Sequence, residues 1–404
     1  MRRVAITGMG AICALGHDAR STWTAMREGR VGIGPIENIP TELLNVKIAA
    51  EVRGFDPATH FDAKRLPLLD RVSQFALVAA REAVAQSGLE FKASGLGERT
   101  ACIVGTGIGG ENSHNEQSRR FFGDKNPRLH PLTILRVMAN APACHVGIEF
   151  GLRGPAFAVA SACASANHAM SQAFDMVRSG RVAVAVTGGT EACVTETTMK
   201  AWEAMRVIAD DTCRPFCKQR RGMVLGEGAG IFVLEEWEHA KARGASILAE
   251  FAGSGATADA IDMVFPAEAT VARAIELALI DAGLNPADVD YINAHGTGTP
   301  ANDPTESKAI RRVFGAQADK IAVSSTKSMH GHALGAAGAI ELVAAIGSLR
   351  DGVIAPTANF IDPDPECDLD YVPNTAREKP VRAALSNSFA FGGLNAVVAL
   401  KRAD

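Results

Sequence analysis

A cysteine stands where a predicted helix begins, in the small-residue stretch AVASACASANHAM, residues 158–170. The helical pattern continues through Met170 and Phe174 and ends at Gly180, so Cys163 lies in the first turn or just before it. Backbone N–H groups at that end have no intrahelical partners and carry roughly half a positive charge. We therefore expect the pKa of the thiol to fall and the thiolate to attack a carbonyl near neutral pH. Taken alone, Cys163 is better interpreted as a small packing residue than as a nucleophile.

Three further side chains that could take part in a reaction come from the last third of the chain. His295 ends the strand-like segment DVDYINAH and precedes the polar loop Gly-Thr-Gly-Thr-Pro. Lys327 lies between the predicted strand IAVSS and a helix, and His332 lies between a glycine and LGAAG. For each histidine a structural role is the alternative, and for the lysine a solvated surface position.

Asp303-Pro304-Thr305-Glu306 has the pattern of a helix start. Asp at the N-cap, Pro at the first position and Glu at the third position together favour a capping role. The sequence thus predicts that Glu306 caps a helix rather than acting as a catalytic base, and near the site we expect it to support the catalytic residues without contacting substrate.

Several glycine and cysteine patterns exclude other chemistries. TGMGAIC has Cys13 where a dinucleotide-binding fingerprint needs its third glycine, and no glycine-rich segment ends in GK[ST]. We interpret these glycines as tight turns and close backbone approaches. Cys213 and Cys217 in CRPFC have no nearby histidine or second cysteine pair, so no metal site is predicted there. The eight scattered cysteines are typical of free thiols in a reducing compartment.

Composition sets the broad class. The chain has 404 residues, 47% of them hydrophobic, and a formal charge of −4, which argues against nucleic-acid binding. No apolar run reaches the ~18 residues that a membrane span requires. The N-terminus enters a strand-like segment without the pattern of a signal peptide, so we expect a cytoplasmic protein.

Strand-like and helical segments alternate along the chain, which predicts an α/β fold. The runs 182–189 and 228–236 are typical of strands buried on both faces, and 269–283 is helical with a glycine stop. Strand-then-glycine openings near residues 3 and 249 indicate an internal duplication. We therefore predict two similar halves, residues 1–250 with Cys163 and residues 251–404 with the histidines and the lysine.

Four motifs together carry a resemblance: SACAS (161–165), NAHGTGT (293–299), SSTKSMHGHALGAAG (324–338) and NSFAFGG (387–393). In this order they resemble the elongating, type-II-like branch of the β-ketoacyl-[acyl-carrier-protein] synthases. The local sequence around CRPF and SMHGH is similar to that of nodulation-type members. The resemblance implies a thiolase-like fold, two αβαβα halves in five layers, and usually a homodimer.

It also implies a decarboxylative Claisen condensation. An acyl chain moves from the carrier protein's phosphopantetheine to Cys163, and malonyl-carrier protein loses CO₂ to give the carbanion that attacks it. The resemblance implies that ring N–H groups of His295 and His332 donate hydrogen bonds to the enolate oxygen. It also implies that Lys327 holds His332 in its donor tautomer, directly or through its charge. Backbone N–H groups of Cys163 and Phe391 form the second oxyanion hole. No cofactor or metal of the protein's own is implied.

Further roles follow from the same resemblance. They comprise pantetheine contact by Thr297 and Thr299, gating by Phe391, an acyl pocket at Ile108 and Trp202, and carrier docking at Lys64, Arg65 and Arg206. The sequence departs from relatives at Ala390, His330, Cys217, Arg221 and Trp202. These departures bear on the acyl chain used and not on the reaction. The alternatives are a non-catalytic chain-length partner of another synthase and a malonyl decarboxylase.

Overall fold

Ten strands form one continuous mixed sheet, and four short strands form two small ribbons. The structure is a computed structural model and describes residues 1–403. The strands are β1 (Val4–Cys13), β2 (Gly34–Pro35), β3 (Ile48–Ala49), β4 (Thr100–Gly105), β5 (Ala156–Val159), β6 (Val184–Glu191), β7 (Gly228–Glu236), β8 (Ala249–Ala258), β9 (Tyr291–Asn293), β10 (Ala322–Ser324), β11 (Val353–Ile354), β12 (Arg377–Glu378), β13 (Ala383–Ala390) and β14 (Leu394–Lys401).

The large sheet repeats one topology twice. Its order is β10-β9-β13-β14-β8-β1-β7-β6-β4-β5, so in each set of five the chain order across the sheet is three, two, four, five, one. The two sets join where β1 pairs antiparallel with β8, with Val4 opposite Phe251. In both sets the last strand runs antiparallel to its two neighbours, and the second, third and fourth strands pair in parallel. This repeat agrees with the thiolase-like fold expected from the sequence; the exact division at residues 250 and 251 stays a prediction, and the topology puts β8 at the start of the second set.

Helices fill the layers between and outside the two sets of strands. They are α1 (Ala19–Arg27), α2 (Arg71–Ser87), α3 (Glu111–Ser118), α4 (Thr133–Val137), α5 (Ala141–Phe150), α6 (Ser165–Arg178), α7 (Glu196–Met205), α8 (Trp237–Ala242), α9 (Glu268–Ala282), α10 (Asn302–Phe314), α11 (Lys327–His330) and α12 (Ala337–Asp351). The middle layer consists of α6 and α12, which contact strands of both sets, while α2 covers β1 and β7 and α9 covers β8 and β14. Because α6 and α12 lie between both sets of strands, residues at their N-terminal ends can meet residues from either half.

The glycines of TGMG serve packing. Gly8 and Gly10 lie inside β1 beneath α2, where an added Cβ would come within 2.0 Å of the carbonyl oxygens of Ala83 and Ala79. The absence of side chains therefore lets the helix lie directly on the strand. The glycines of this segment thus serve the packing of a helix on a strand and not a nucleotide-binding turn.

Candidate active site

Cys163 lies in a sharp turn between β5 and α6. Ala162, the residue before it, has a left-handed backbone with φ of +48°, a conformation that costs a non-glycine residue free energy and is concentrated at functional sites. Ser165 fixes the turn, since its Oγ accepts the N–H of Ser161 at 2.9 Å and donates to the carbonyl of Ala162 at 2.6 Å. The predicted position just before the helix is confirmed by α6 beginning at Ser165.

The predicted fall in the pKa of Cys163 is wrong for the resting protein. Burial raises the pKa of this thiol to about 12, while the charge of Lys327 and the backbone N–H groups of Cys163 and Phe391 lower it by less. The helix terminus and the lysine therefore do not offset the loss of water around a 4% exposed side chain. The resting site holds Cys163 as a thiol.

Cys163, His295 and His332 meet although they are far apart in sequence. The Sγ atom and one nitrogen of each ring all lie within 4.8 Å of one another. The two rings stand edge to face, with centroids 5.4 Å apart and planes at 82°. All three side chains are buried, so a reacting group between them is shielded from bulk water.

The partners of the two imidazoles define which ring nitrogen carries the proton. The N–H of Leu334 donates to Nδ1 of His332 at 3.2 Å, and Nζ of Lys327 lies 3.4 Å from Nδ1 of His295. Because both Nδ1 atoms face donors, the proton of each neutral ring lies on Nε2. Nε2 of His332 is buried and has no partner within residues 1–403, and it is thus free to donate to a reacting oxygen.

Both imidazoles are neutral donors. Burial and then the charge of Lys327 hold the pKa values of His295 and His332 well below the usual range of histidine. Lys327 was expected to act on His332 either directly or through its charge, and the direct contact is absent, because the N–H of Leu334 occupies Nδ1 of that ring and the lysine contacts His295. The field of the lysine does reach His332 and keeps it unprotonated.

Cys163, His295 and His332 are also residue types that bind zinc. Coordination through Nε2 would require a lone pair there, with the ring proton moved to Nδ1. In both rings Nδ1 already faces a donor, so the surroundings favour N–H donation over metal coordination.

Lys327 forms a fully buried ion pair with Glu341. Its Nζ also donates to the carbonyl of His295 at 2.7 Å, which ties the lysine to the histidine loop. Burial raises the pKa of Glu341 to about 7, against the opposing effect of Lys327. Glu341 escaped the sequence prediction, although a single acid among the apolar and small residues 337–349 was a usable signal.

The predicted helix-capping role of Glu306 is wrong. Helix α10 begins at Asn302, its N-cap has no side-chain hydrogen bond, and Glu306 lies one turn inside it, fully buried. Its carboxylate accepts the backbone N–H groups of His295 and Gly296, both at 2.8 Å, and the amide of Asn387 at 3.0 Å. Glu306 therefore orients the loop that carries His295, which is consistent with a supporting position behind that ring.

A cavity of about 340 Å³ leads from the surface to Cys163 and both histidines. Thr297 and Thr299 lie on its wall and are hydrogen-bonded to each other through their hydroxyls at 2.8 Å. These hydroxyls are suited to a polar chain such as phosphopantetheine. Arg206, at the end of α7, lies on the same cavity and is exposed.

Phe391 lies at the inner end of this cavity in the turn between β13 and β14. Its ring stacks on Trp202 with centroids 5.8 Å apart and planes at 26°. Gly392 and Gly393 follow with φ of +83° and +68°, and the N–H of Gly392 donates to the carbonyl of Met263 at 2.9 Å. The turn thus places Phe391 on the cavity wall and a backbone donor at Cys163.

The predicted pocket and docking residues are only partly gathered at the cavity. Ile108 is 41% exposed and does not line this cavity, so its assignment to an acyl pocket stays a prediction. Trp202 does not line the cavity either but holds Phe391. Arg65 pairs with Glu149 at 2.6 Å, and Lys64 is exposed; neither lines the cavity.

The departures from relatives lie around the site. Nε2 of His330 is 3.0 Å from the hydroxyl of Thr326. This hydrogen bond does not involve His332, so it does not decide which nitrogen of His332 carries the proton. Ala390 ends a regular strand opposite Leu394 and lines the cavity. Cys217 is buried, and exposed Arg221 lies 3.9 Å from Asp210.

His330 makes the stability of the protein depend on pH. Burial and the charge of Lys327 lower its pKa to about 3, so between about pH 6.5 and 3 the unfolded chain binds a proton that the folded chain does not. The stabilisation is complete above pH 6.5 and is lost as the pH falls. In urea unfolding, His330→Gln should make the decline shallower by up to about 1.4 kcal/mol per pH unit. Identical slopes for both proteins would contradict this; His114→Gln, at an exposed imidazole, is the control.

No helix within residues 1–403 has the length and apolar character to span a membrane.

The chain matches two family descriptions over most of its length. Residues 1–240 match the β-ketoacyl synthase N-terminal domain, and residues 248–361 match the β-ketoacyl synthase C-terminal domain. It is 50% identical over 403 residues to nodulation protein E of Rhizobium meliloti (strain 1021), covering 99% of both chains. It is 42% identical over 409 residues to 3-oxoacyl-[acyl-carrier-protein] synthase 2 of Staphylococcus aureus (strain COL), covering 99% of this chain and 98% of that one. A solved structure, the ishigamide ketosynthase/chain length factor, matches with a TM-score of 0.95 and 38% identity over all of both chains.

Proposed function

This chain belongs to the β-ketoacyl synthase family, and from that premise we propose that it extends an acyl chain held on Cys163 by two carbons taken from malonyl-carrier protein. It is an acyl-transferring condensing enzyme, a 3-oxoacyl-[acyl-carrier-protein] synthase. The observation that carries the proposal is the convergence of Cys163, His295 and His332 within 4.8 Å at the buried end of one cavity.

In the first half-reaction Cys163 attacks the acyl thioester of the carrier protein. The new bond joins Sγ to the acyl carbon, and the phosphopantetheine thiol leaves with the proton that the cysteine gives up. The N–H groups of Cys163 and Phe391, which both approach Sγ, stabilise the tetrahedral oxyanion. Phosphopantetheine arrives on the carrier protein, and we propose no cofactor or metal of the enzyme's own.

In the second half-reaction malonyl-carrier protein occupies the same cavity. The bond to its carboxylate breaks, CO₂ leaves, and the electron pair forms an enolate whose oxygen accepts hydrogen bonds from Nε2 of His295 and His332. The enolate carbon attacks the acyl carbon on Cys163, and the cysteine thiolate departs. Because decarboxylation generates the nucleophile, no base has to remove a carbon-bound proton. Neutral donors suit this step, since they are already protonated where the charge develops.

The alternatives make different products. A chain-length partner without catalysis would form no acyl-enzyme and no product, and a malonyl decarboxylase would release CO₂ without condensation. The presence of the thiol with both histidine donors favours the condensing enzyme. We expect the 3-oxoacyl-carrier product, two carbons longer than the primer, by mass spectrometry after incubation with acyl-carrier and malonyl-carrier protein. CO₂ release without that product across primers of several lengths would overturn the proposal.

We further propose a homodimer in the cytoplasm. Strand β5 is an edge strand of the large sheet, with one side unpaired; helix α5 lies beside it, and α4 packs against α5. Exposed apolar side chains cluster in sequence nearby, at Phe121, Phe122, Ile134 and Leu135. An uncovered edge with apolar neighbours is suited to pairing with a second copy. Sedimentation should give twice the 42.3 kDa chain mass, and a monomer at micromolar concentration would contradict the dimer.

A further inference from the structure

Glu191 is a fully buried carboxylate at the end of β6, outside the group of reacting side chains. Its Oε2 atom accepts the N–H groups of Gly107 at 2.6 Å and Gly335 at 3.0 Å. Its Oε1 atom accepts the hydroxyl of Thr106 at 3.0 Å and the N–H of Ile108 at 3.3 Å. One carboxylate thus joins the turn that follows β4 in the first half of the chain to a turn in the second half.

The two turns lie in direct contact at this carboxylate. A Cβ added to Gly335 would come within 2.2 Å of the backbone nitrogen of Gly107 and within 2.7 Å of Oε2 of Glu191. Glycine at both positions therefore lets one oxygen reach both N–H groups. Burial raises the pKa of Glu191, while its four donors lower it. Backbone N–H groups cannot accept a hydrogen bond, so this position requires an acceptor oxygen.

Gly335 belongs to the segment that holds the ring of His332. The backbone of His332 is fixed on both sides, since its N–H donates to the carbonyl of Val224 at 2.7 Å and its carbonyl accepts the N–H of Gly226 at 3.0 Å. The position of the ring proton then depends on the N–H of Leu334, which donates to Nδ1 at 3.2 Å. The turn after His332 therefore decides whether Nε2 carries a proton.

The backbone of Leu334 needs support from outside its own turn. It is left-handed, with φ of +40°, a conformation that costs a non-glycine residue free energy and persists only where the surrounding structure imposes it. Leu334 joins the peptide group that donates to His332 to the peptide group that donates to Glu191. Loss of the contact with Glu191 would let the second peptide group turn, and relaxation at Leu334 would then move the first N–H away from Nδ1.

We propose that Glu191 is a positioning residue for His332, which holds the N–H of Gly335 so that the N–H of Leu334 donates to Nδ1 and the ring proton stays on Nε2. This rests on the proposed function, because that proton is the one donated to the enolate oxygen. Glu191 does not line the cavity and acts through the turn. Its effect falls on the second half-reaction, since acylation of Cys163 uses backbone N–H groups.

Two conservative variants separate the reach of Glu191 from its charge. Glu191→Asp keeps the charge but is shorter by about 1.5 Å, so the N–H of Gly335 loses its direct acceptor. Glu191→Gln keeps the length, because its amide oxygen can face Gly107 and Gly335 while its NH₂ donates to the hydroxyl of Thr106. CO₂ release from malonyl-carrier protein should fall by about tenfold or more in Glu191→Asp and stay within about threefold in Glu191→Gln. Acylation of Cys163 should stay within about threefold in both.

The tautomer of His332 gives a readout that does not depend on the reaction. With ring-¹⁵N-labelled histidine, NMR should show the Nε2–H form in the wild-type protein and in Glu191→Gln, and a mixture of both neutral forms in Glu191→Asp. The signals are assigned by their absence from His332→Ala. The matched control is Glu82→Asp, at a carboxylate that accepts the N–H groups of Ala11 and Ala19 away from the cavity, and it should change neither readout.

Three results would overturn the positioning role. The first is wild-type CO₂ release with an unchanged tautomer in Glu191→Asp. The second is an equal loss of both half-reactions in that variant, and its failure to fold would count in the same way. The third is a larger loss in Glu191→Gln than in Glu191→Asp, which would show that charge and not reach is what matters. If the wild-type protein has the Nε2–H form of His332 but neither becomes acylated nor releases CO₂, the proposed function fails instead.

Discussion

Cys163→Ala should lower condensation by at least about ten-thousandfold, because it removes the atom that holds the acyl chain between the two half-reactions. The side chain is buried, and no other thiol within residues 1–403 shares its position with the histidines and the N–H groups of Cys163 and Phe391. The measurement is transfer of a labelled acyl chain from carrier protein to enzyme, together with the yield of 3-oxoacyl product.

The same variant provides an internal control. His295 and His332 keep their partners Lys327 and Leu334, so CO₂ release from malonyl-carrier protein should persist in Cys163→Ala. Cys193→Ala, at another buried thiol, should retain acylation. Acyl transfer that survives in Cys163→Ala would remove the nucleophile assignment.

His332→Ala should slow decarboxylation of malonyl-carrier protein by about a hundredfold to a thousandfold. It removes a neutral N–H donor that has no partner within residues 1–403 and that donates to the enolate oxygen in the proposed mechanism. Acylation of Cys163 should be affected much less, since its oxyanion is held by backbone N–H groups of Cys163 and Phe391. The two half-reactions can be followed separately, by CO₂ release and by acyl-enzyme mass.

His330→Ala is the matched control for loss of a buried imidazole near the site, because His330 contacts Thr326 and not the cavity. It should lose far less decarboxylation activity than His332→Ala. Equal loss of both half-reactions in His332→Ala would show that this histidine supports the structure of the whole site and not one step.

The α/β class and the duplication could be predicted because periodicity and the repeated opening are local signals, whereas the thiolase-like fold followed from the family resemblance. The strand at residues 228–236 and the helix ending at Gly283 occur as expected. The convergence of Cys163 with the histidines could be predicted from the four motifs, because the family that they resemble implies both a fold and a role for each residue.

The predictions that failed concern properties set by residues that are distant in the sequence. The pKa of Cys163 follows from burial by residues of both halves, which outweighs the local helix terminus. Glu306 matched a capping pattern, yet tertiary contacts place it behind His295. Lys327 acts on His332 through its charge, one of the two expected ways. The donor that contacts the ring of His332 is the backbone N–H of Leu334, and a backbone donor cannot be recognised from residue type.

The central claim, that Cys163 carries the acyl chain, is tested most directly by mapping the acyl-enzyme. The protein is incubated with labelled acyl-carrier protein, digested under conditions that preserve thioesters, and the labelled peptide is sequenced by mass spectrometry. We predict one thioester, on the peptide containing Cys163, which disappears when malonyl-carrier protein is added as the 3-oxoacyl product forms. An acylated protein with its label on any other cysteine, or no label with any acyl length, would contradict the account.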